Sequence, residues 1–134
     1  MVTSKSNNEC NLKIFSQNIR GLSNKTDELT IHWAENAPHL LCLTEHHLPY
    51  TAIQKVNIAN YNLGAYYCTQ YTKCGGVCIF VQKSYQFTTI DLSEYCRKQD
   101  MEVCAFRMVH SPFNLIVVSI YRSPSGDFNI FLKK

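Results

Sequence analysis

The sequence predicts a single α/β domain organised around a parallel strand-helix-strand unit, and three features carry that expectation. The apolar run Leu40-Leu41-Cys42-Leu43 is one strand long and ends abruptly in Thr44-Glu45-His46-His47. Before it, an alternating stretch over 12–19 and a helical pattern over 25–36 complete the unit, whose crossover makes the two strands parallel members of one sheet. After it, apolar runs of strand length recur as far as residue 121, punctuated by Gly, Pro, Ser and Asn. At 134 residues, 46% apolar and 12% aromatic, the chain has material for one packed core.

Residues 1–11 are polar and read as a disordered tail, leaving 12–134 as the domain. The first strand closes at Arg20-Gly21, which puts Asn18 at its carboxyl end. Ser23 or Asn24 caps the helix, Asp27 and Glu28 occupy its favourable first turn, and Leu29 and Trp33 stack on its inner face until Pro38. Parallel strands point their carboxyl ends the same way, so Asn18 and Glu45 are expected at one rim, within reach of a shared cation. Beyond Pro49 come a short helix near 53–58 and two strands, 61–67 and 77–82, joined through a turn that Gly75-Gly76 marks as a hairpin or bulge. Further strands are expected at 86–90, 102–108 and 115–121, the last two turning at Ser111-Pro112-Phe113-Asn114. Phe128, Phe131 and Leu132 then repeat at helical spacing. No internal repeat or low-complexity linker divides the chain.

A formal charge of +3 is compatible with a nucleic-acid partner but is no dense basic stripe. The first nine residues lack the apolar core of a signal peptide, and 115–120 is too short to span a bilayer. The chain is therefore expected to be soluble and intracellular, nuclear or cytoplasmic, with no membrane partner. Seven cysteines without a C-x-x-C pair read as reduced thiols, with Cys42, Cys68, Cys78 and Cys104 in apolar runs. A zinc set of Cys74, Cys78, His46 and His47 can be drawn, yet its cysteine spacing crosses a Gly-Gly turn and lacks a second matching pair.

Glu45 is the residue on which function turns. A carboxylate at the end of a core strand stays ionised only if it is paired, hydrogen-bonded or metal-bound. In α/β sheets the carboxyl ends of strands line the binding crevice, which makes it a candidate ligand. A half-solvated glutamate in an ordinary turn is the alternative that the residue alone leaves open.

Gln17-Asn18-Ile19-Arg20-Gly21, Thr44-Glu45, Gly75-Gly76-Val77-Cys78-Ile79-Phe80 and Ile120-Tyr121-Arg122-Ser123-Pro124 occur in an order and spacing that resembles the endonuclease/exonuclease/phosphatase family. The stretch from Tyr121 to Phe128 resembles more specifically the N-terminal endonuclease of insect non-LTR retrotransposons of the jockey type. The resemblance implies a DNase I-like α/β sandwich and a metal-dependent phosphodiesterase acting on DNA, in a polyprotein that also carries a reverse transcriptase. It implies Glu45 as the principal Mg²⁺ carboxylate, with Mn²⁺ as the alternative ion, and Asn18 beside it, orienting the metal shell or the phosphate. Tyr121 would face the scissile phosphate. One Glu with one Asn is a reasonable half-shell, because Mg²⁺ takes one or two protein carboxylates and completes its octahedron with water and phosphate oxygens. A neutral Tyr hydroxyl donates to a phosphate oxygen. Arg20 and Arg122 are candidate contacts to DNA phosphates, or ordinary solvated strand-end arginines.

The family pattern continues with a Gly-Asp-x-Asn strand, a second Asp and a Ser-Asp-His ending that supplies the general base. Those parts do not fit within these residues, so the expectation is an N-terminal half-domain, truncated and inactive alone. Neither His46 nor His47 stands at the position of the family's catalytic histidine. Gly126-Asp127-Phe128-Asn129 spells the missing signature, but Asp127 follows Pro124 and Ser125 too closely for a strand and reads as a helix cap. Two alternatives accompany this reading: a non-catalytic transposon relic or weak metal- or DNA-binding module, and a phosphatase of the same superfamily.

Overall fold

The computed structural model describes residues 11–32, 37–69, 74–97 and 100–122. The tail before residue 11, Trp33, Thr72 and Lys73, and the helix and Asp127 cap predicted beyond residue 122 lie outside the described residues. Two sheets pack face to face. The first holds β1 (Ile14–Asn18), β2 (Leu40–Thr44), β3 (Tyr61–Tyr67) and β4 (Val77–Gln82) in the order β1-β2-β4-β3. The second holds β5 (Phe87–Ile90), β6 (Glu102–His110) and β7 (Phe113–Tyr121) in sequence order. Helix α1 (Thr26–His32) connects β1 to β2, and α2 (Tyr50–Ile53) follows β2.

The two central strands of the first sheet are buried on both faces, which is why β2 and β4 read as continuous apolar runs rather than alternating ones. Leu40, Cys42, Val77, Ile79 and Val81 point between the sheets and meet Cys104, Phe106 and Met108 of β6. Leu41, Leu43, Cys78 and Phe80 point the other way, onto Ile19, Leu22, Ile53, Ile58 and partly buried Leu29. As predicted, β1 and β2 are parallel, with Asn18 opposite Thr44. Thr44 in turn pairs with Val77 of antiparallel β4, and Val77 with Tyr67 of β3. One end of the sheet therefore presents Asn18, Thr44, Val77 and Tyr67 in a row. Cys42, Cys68, Cys78 and Cys104 are buried free thiols.

Two predicted elements move. The short helix is at Tyr50–Ile53 rather than 53–58, because Pro49 launches it: the Pro49 carbonyl accepts the Ala52 and Ile53 amides, each at 3.0 Å. Ile58 is buried from a loop, so the apolar spacing that imitated a helix comes from two separate anchors. The β6–β7 hairpin is tighter than predicted, with His110 paired to Phe113 across Ser111-Pro112, so both strands extend two residues further. Among the described residues no helix is long and apolar enough to cross a membrane.

Candidate functional site

At the row of strand ends the chain turns sharply just after β1 and just after β2. Arg20, Glu45 and His47 have φ of 47°, 55° and 60°, the left-handed region that non-glycine residues avoid. Each such residue costs on the order of 1–3 kcal/mol and persists where its surroundings over-determine it. Around Glu45 they do: its N–H donates to the Gly76 carbonyl at 2.7 Å, and its own carbonyl accepts the Gly21 amide at 2.8 Å. The His47 amide donates to the Gly75 carbonyl at 2.8 Å, and the Leu22 amide to the His46 carbonyl at 3.0 Å. The β1 and β4 ends thus grip the segment after β2 from both sides.

The result is an aimed carboxylate. Tyr121, at the end of β7 in the other sheet, donates its hydroxyl to Glu45 Oε1. Asn18 accepts the Arg20 amide on Oδ1 at 3.3 Å, which leaves its NH₂ to donate to Glu45. His47 Nε2 lies 3.7 Å from Glu45 Oε2. The bond from Tyr121 first, and that from Asn18 second, hold the Glu45 carboxyl below its ordinary range; partial burial opposes them, and His47 and Arg20 add smaller attractive contributions. The Glu45 side chain remains 21% exposed, open to a ligand from solvent.

Asn18, Glu45 and Tyr121, chosen from separate parts of the sequence, therefore meet at one point. Arg20 is exposed beside them, and half-buried Arg122 directly follows Tyr121. His46 is turned inward and fully buried: its Nε2 donates to the Tyr67 carbonyl at 3.0 Å and its Nδ1 accepts the Leu48 amide at 3.0 Å. With both ring nitrogens committed to backbone and Cys78 sealed in the core, the zinc set drawn from the sequence does not assemble. Among the described residues no group of three or more His, Cys, Asp or Glu side chains surrounds a point where a metal ion would sit.

Solved structures share this arrangement of sheets. The endonuclease domain of TRAS1, a telomere-specific non-LTR retrotransposon, superposes with a TM-score of 0.62 at 15% identity, covering 90% of this chain and 50% of that one. The AP endonuclease LMAP from Leishmania major gives a TM-score of 0.62 at 18% identity, over 90% of this chain and 43% of that one. The fold is DNase I-like. The chain spans about half the length of these structures. No protein-family model and no curated protein matches the sequence.

On this DNase I-like scaffold a further residue, one that the sequence does not single out, stands beside the site. Glu102 is only 3% exposed, and burial pushes its carboxyl above the ordinary range, helped by the charge of Glu45 and opposed by bonds from Thr69 and Gly76. Gly75 and Gly76 have φ of 92° and 96°, and a Cβ on either would sit closer than 3.0 Å to a side chain, Thr69 and Glu102 in one case and His46 in the other. The Gly-Gly pair signalled the turn, but its packing partners lie far away in sequence.

Proposed function

We propose that this chain supplies the carboxylate half of a divalent-cation phosphodiesterase site acting on DNA. The domain is that of an endonuclease encoded by a non-LTR retrotransposon, whose longer protein also carries a reverse transcriptase. The convergence of the Tyr121 hydroxyl and the Asn18 carboxamide on Glu45 supports this reading above all else. A hydrogen-bonded carboxylate kept ionised at a solvent-open rim, beside a carboxamide and with no thiolate, is a hard oxygen donor set. Such a set fits an ion like Mg²⁺ or Mn²⁺ that keeps several waters, and it does not fit zinc.

When bound, the cation supplies positive charge to the phosphate oxygens of the scissile bond. The chain's own residues do the rest. Glu45 holds the ion, and Asn18 fixes the carboxylate's orientation. Tyr121 has one hydroxyl hydrogen, given to Glu45 in this structure; with DNA in place that hydrogen turns to a phosphate oxygen and leaves the carboxylate to the cation. Arg20, exposed at the same rim, contacts the backbone phosphate of the DNA. The general base is proposed to come from the longer protein, since His47 faces Glu45 rather than standing across the site from it.

Titration of the chain with Mn²⁺, followed by electron paramagnetic resonance, tests the site. Binding in the wild type that is lost in Glu45→Gln and weakened in Asn18→Ala is the expected result, and Mn²⁺ binding unaffected by either change overturns the assignment. With supercoiled plasmid and Mg²⁺ the chain alone is expected to show no nicking above background, because general-base catalysis is worth about 10²–10⁴-fold. Nicking that disappears in Glu45→Gln would show that the half-site suffices.

A further inference from the structure

Glu102 is the most deeply buried carboxylate among the described residues, and no part of the proposed chemistry uses it. Its side chain spans the two sheets. From β6 it accepts the Thr69 hydroxyl on Oε2, and the Gly76 amide at 3.2 Å on Oε2 and 3.4 Å on Oε1. Thr69 follows β3 and Gly76 precedes β4, so one carboxylate closes the mouth of that hairpin. Gly76 then passes the constraint on: its carbonyl, one peptide removed, accepts the amides of Glu45 at 2.7 Å and His46 at 3.4 Å. Glu102 is also the direct cross-strand partner of Tyr121, whose hydroxyl meets Glu45 from the other side. The two routes from Glu102 to Glu45 thus run through the two features that fix it, its left-handed backbone and its Oε1 partner.

We infer that Glu102 is a positioning residue that clamps the Gly75–Gly76 turn and thereby holds Glu45 in its ligand-ready conformation, an inference that rests on Glu45 being the proposed metal carboxylate. The packing supports it from both flanks. A Cβ on Gly75 would strike Thr69 and Glu102, and one on Gly76 would strike the His46 ring, so the turn is seated between the clamp and a buried imidazole. Removing the carboxylate leaves the Gly76 amide and the Thr69 hydroxyl buried without their acceptor, which a turn relieves by shifting toward water.

Glu102→Leu keeps the bulk and removes the acceptors, whereas Glu102→Gln keeps an oxygen for Gly76 and an NH₂ that donates to Thr69. Two readouts are taken on the full chain: Mn²⁺ affinity, and amide hydrogen exchange by NMR. Glu102→Leu is expected to lose about tenfold or more in Mn²⁺ affinity, the range typical of outer partners of metal ligands. The amides of Glu45 and His47 should exchange faster while those of the β2–β4 ladder do not change. Glu102→Gln is expected to restore both readouts to near the wild-type values. A folded Glu102→Leu variant with unchanged affinity and unchanged Glu45 exchange overturns the inference. So does uniform acceleration of all amides, which would mark a merely structural glutamate, or a Glu102→Gln variant as impaired as Glu102→Leu. Should Glu102→Leu fail to fold, Thr69→Val removes one arm of the clamp, and it must shift both readouts in the same direction or the inference falls. If the wild type binds no Mn²⁺, the metal reading fails by itself and the exchange pattern still decides the clamp.

Discussion

Glu45 is strained, and the strain is held by residues with no reactive role of their own. Gly76 shows this most sharply, because its φ of 96° and its contact with the His46 ring exclude a side chain on two separate grounds. Gly76→Ala is expected to destabilise the fold by at least about 2–3 kcal/mol, combining left-handed strain with displacement of a buried ring; urea unfolding measures it, and a loss under about 1 kcal/mol would mean that the imidazole yields freely. The His46 ring itself makes stability depend on pH. Burial, the largest influence, pushes its pKa down from 6.5 to about 4, so the folded state holds the neutral ring while the unfolded chain takes up a proton. The contribution is complete above pH 6.5 and is lost as pH falls from there toward 4, a difference of roughly 3 kcal/mol. Glu102, with its raised pKa, works in the opposite sense over the acid range, so the slope is isolated by comparison with His46→Gln. Wild-type stability should fall more steeply between pH 6.5 and 4 than that of the variant, and parallel curves would assign the acid sensitivity elsewhere.

At the scale of the elements, the sequence was most legible where both faces of a strand are buried. The uninterrupted apolar runs of β2 and β4 leave little choice of structure, and the strand-helix-strand pattern then dictates the parallel pairing that aligns Asn18 with Thr44. From that pairing the meeting of Asn18 and Glu45 at one rim follows by geometry. Tyr121 reached the site only through the family resemblance, since nothing in local sequence says that β7 of a separate sheet ends over β2. The α2 position was misread because Ile53 and Ile58 are both buried, and burial at that spacing looks the same whether a helix or a loop delivers it. Glu102 was illegible for a related reason: in sequence it is an acidic residue entering a strand, and its two donors, the Thr69 hydroxyl and the Gly76 amide, come from across a hairpin. The central position of β4 has a measurable consequence. Phe80, 1% exposed, faces Leu22, Ile53 and Ile58, and Phe80→Ala should cost about 3–5 kcal/mol by urea unfolding. A cost near that of a surface change would mean that the α1 side of the sheet is loosely packed.

Across the whole molecule, burial is uneven in a way that the sequence alone assigns wrongly. Leu40–Leu43 and 115–120 are equally apolar stretches, and both look prone to aggregation on composition. The structure separates them. β2 lies between β1 and β4 with Leu40, Leu41 and Leu43 completely buried, so that stretch is protected in the folded state. β7 lies at the margin of its sheet, and among the described residues only β6 pairs with it. Its inward residues Leu115 and Val117 pack on the core, while the alternate set Ile116, Val118 and Ile120 is 60%, 46% and 55% exposed, with Val109 of β6 extending the patch. A strand edge with an apolar outer face associates with other strands, because the pairing groups and the hydrophobic surface are offered together. The 134-residue chain is therefore expected to self-associate in a concentration-dependent manner in light scattering. Ile116→Lys combined with Ile120→Lys should reduce it, since two charges on the outer face oppose stacking and disturb no inward side chain. Leu41→Lys, in contrast, should unfold the protein rather than solubilise it, because a buried unpaired ammonium has no route to water from the middle of the first sheet. A wild-type chain that stays monomeric at high concentration, or a double-lysine variant that associates as strongly as the wild type, would remove β7 as the sticky edge.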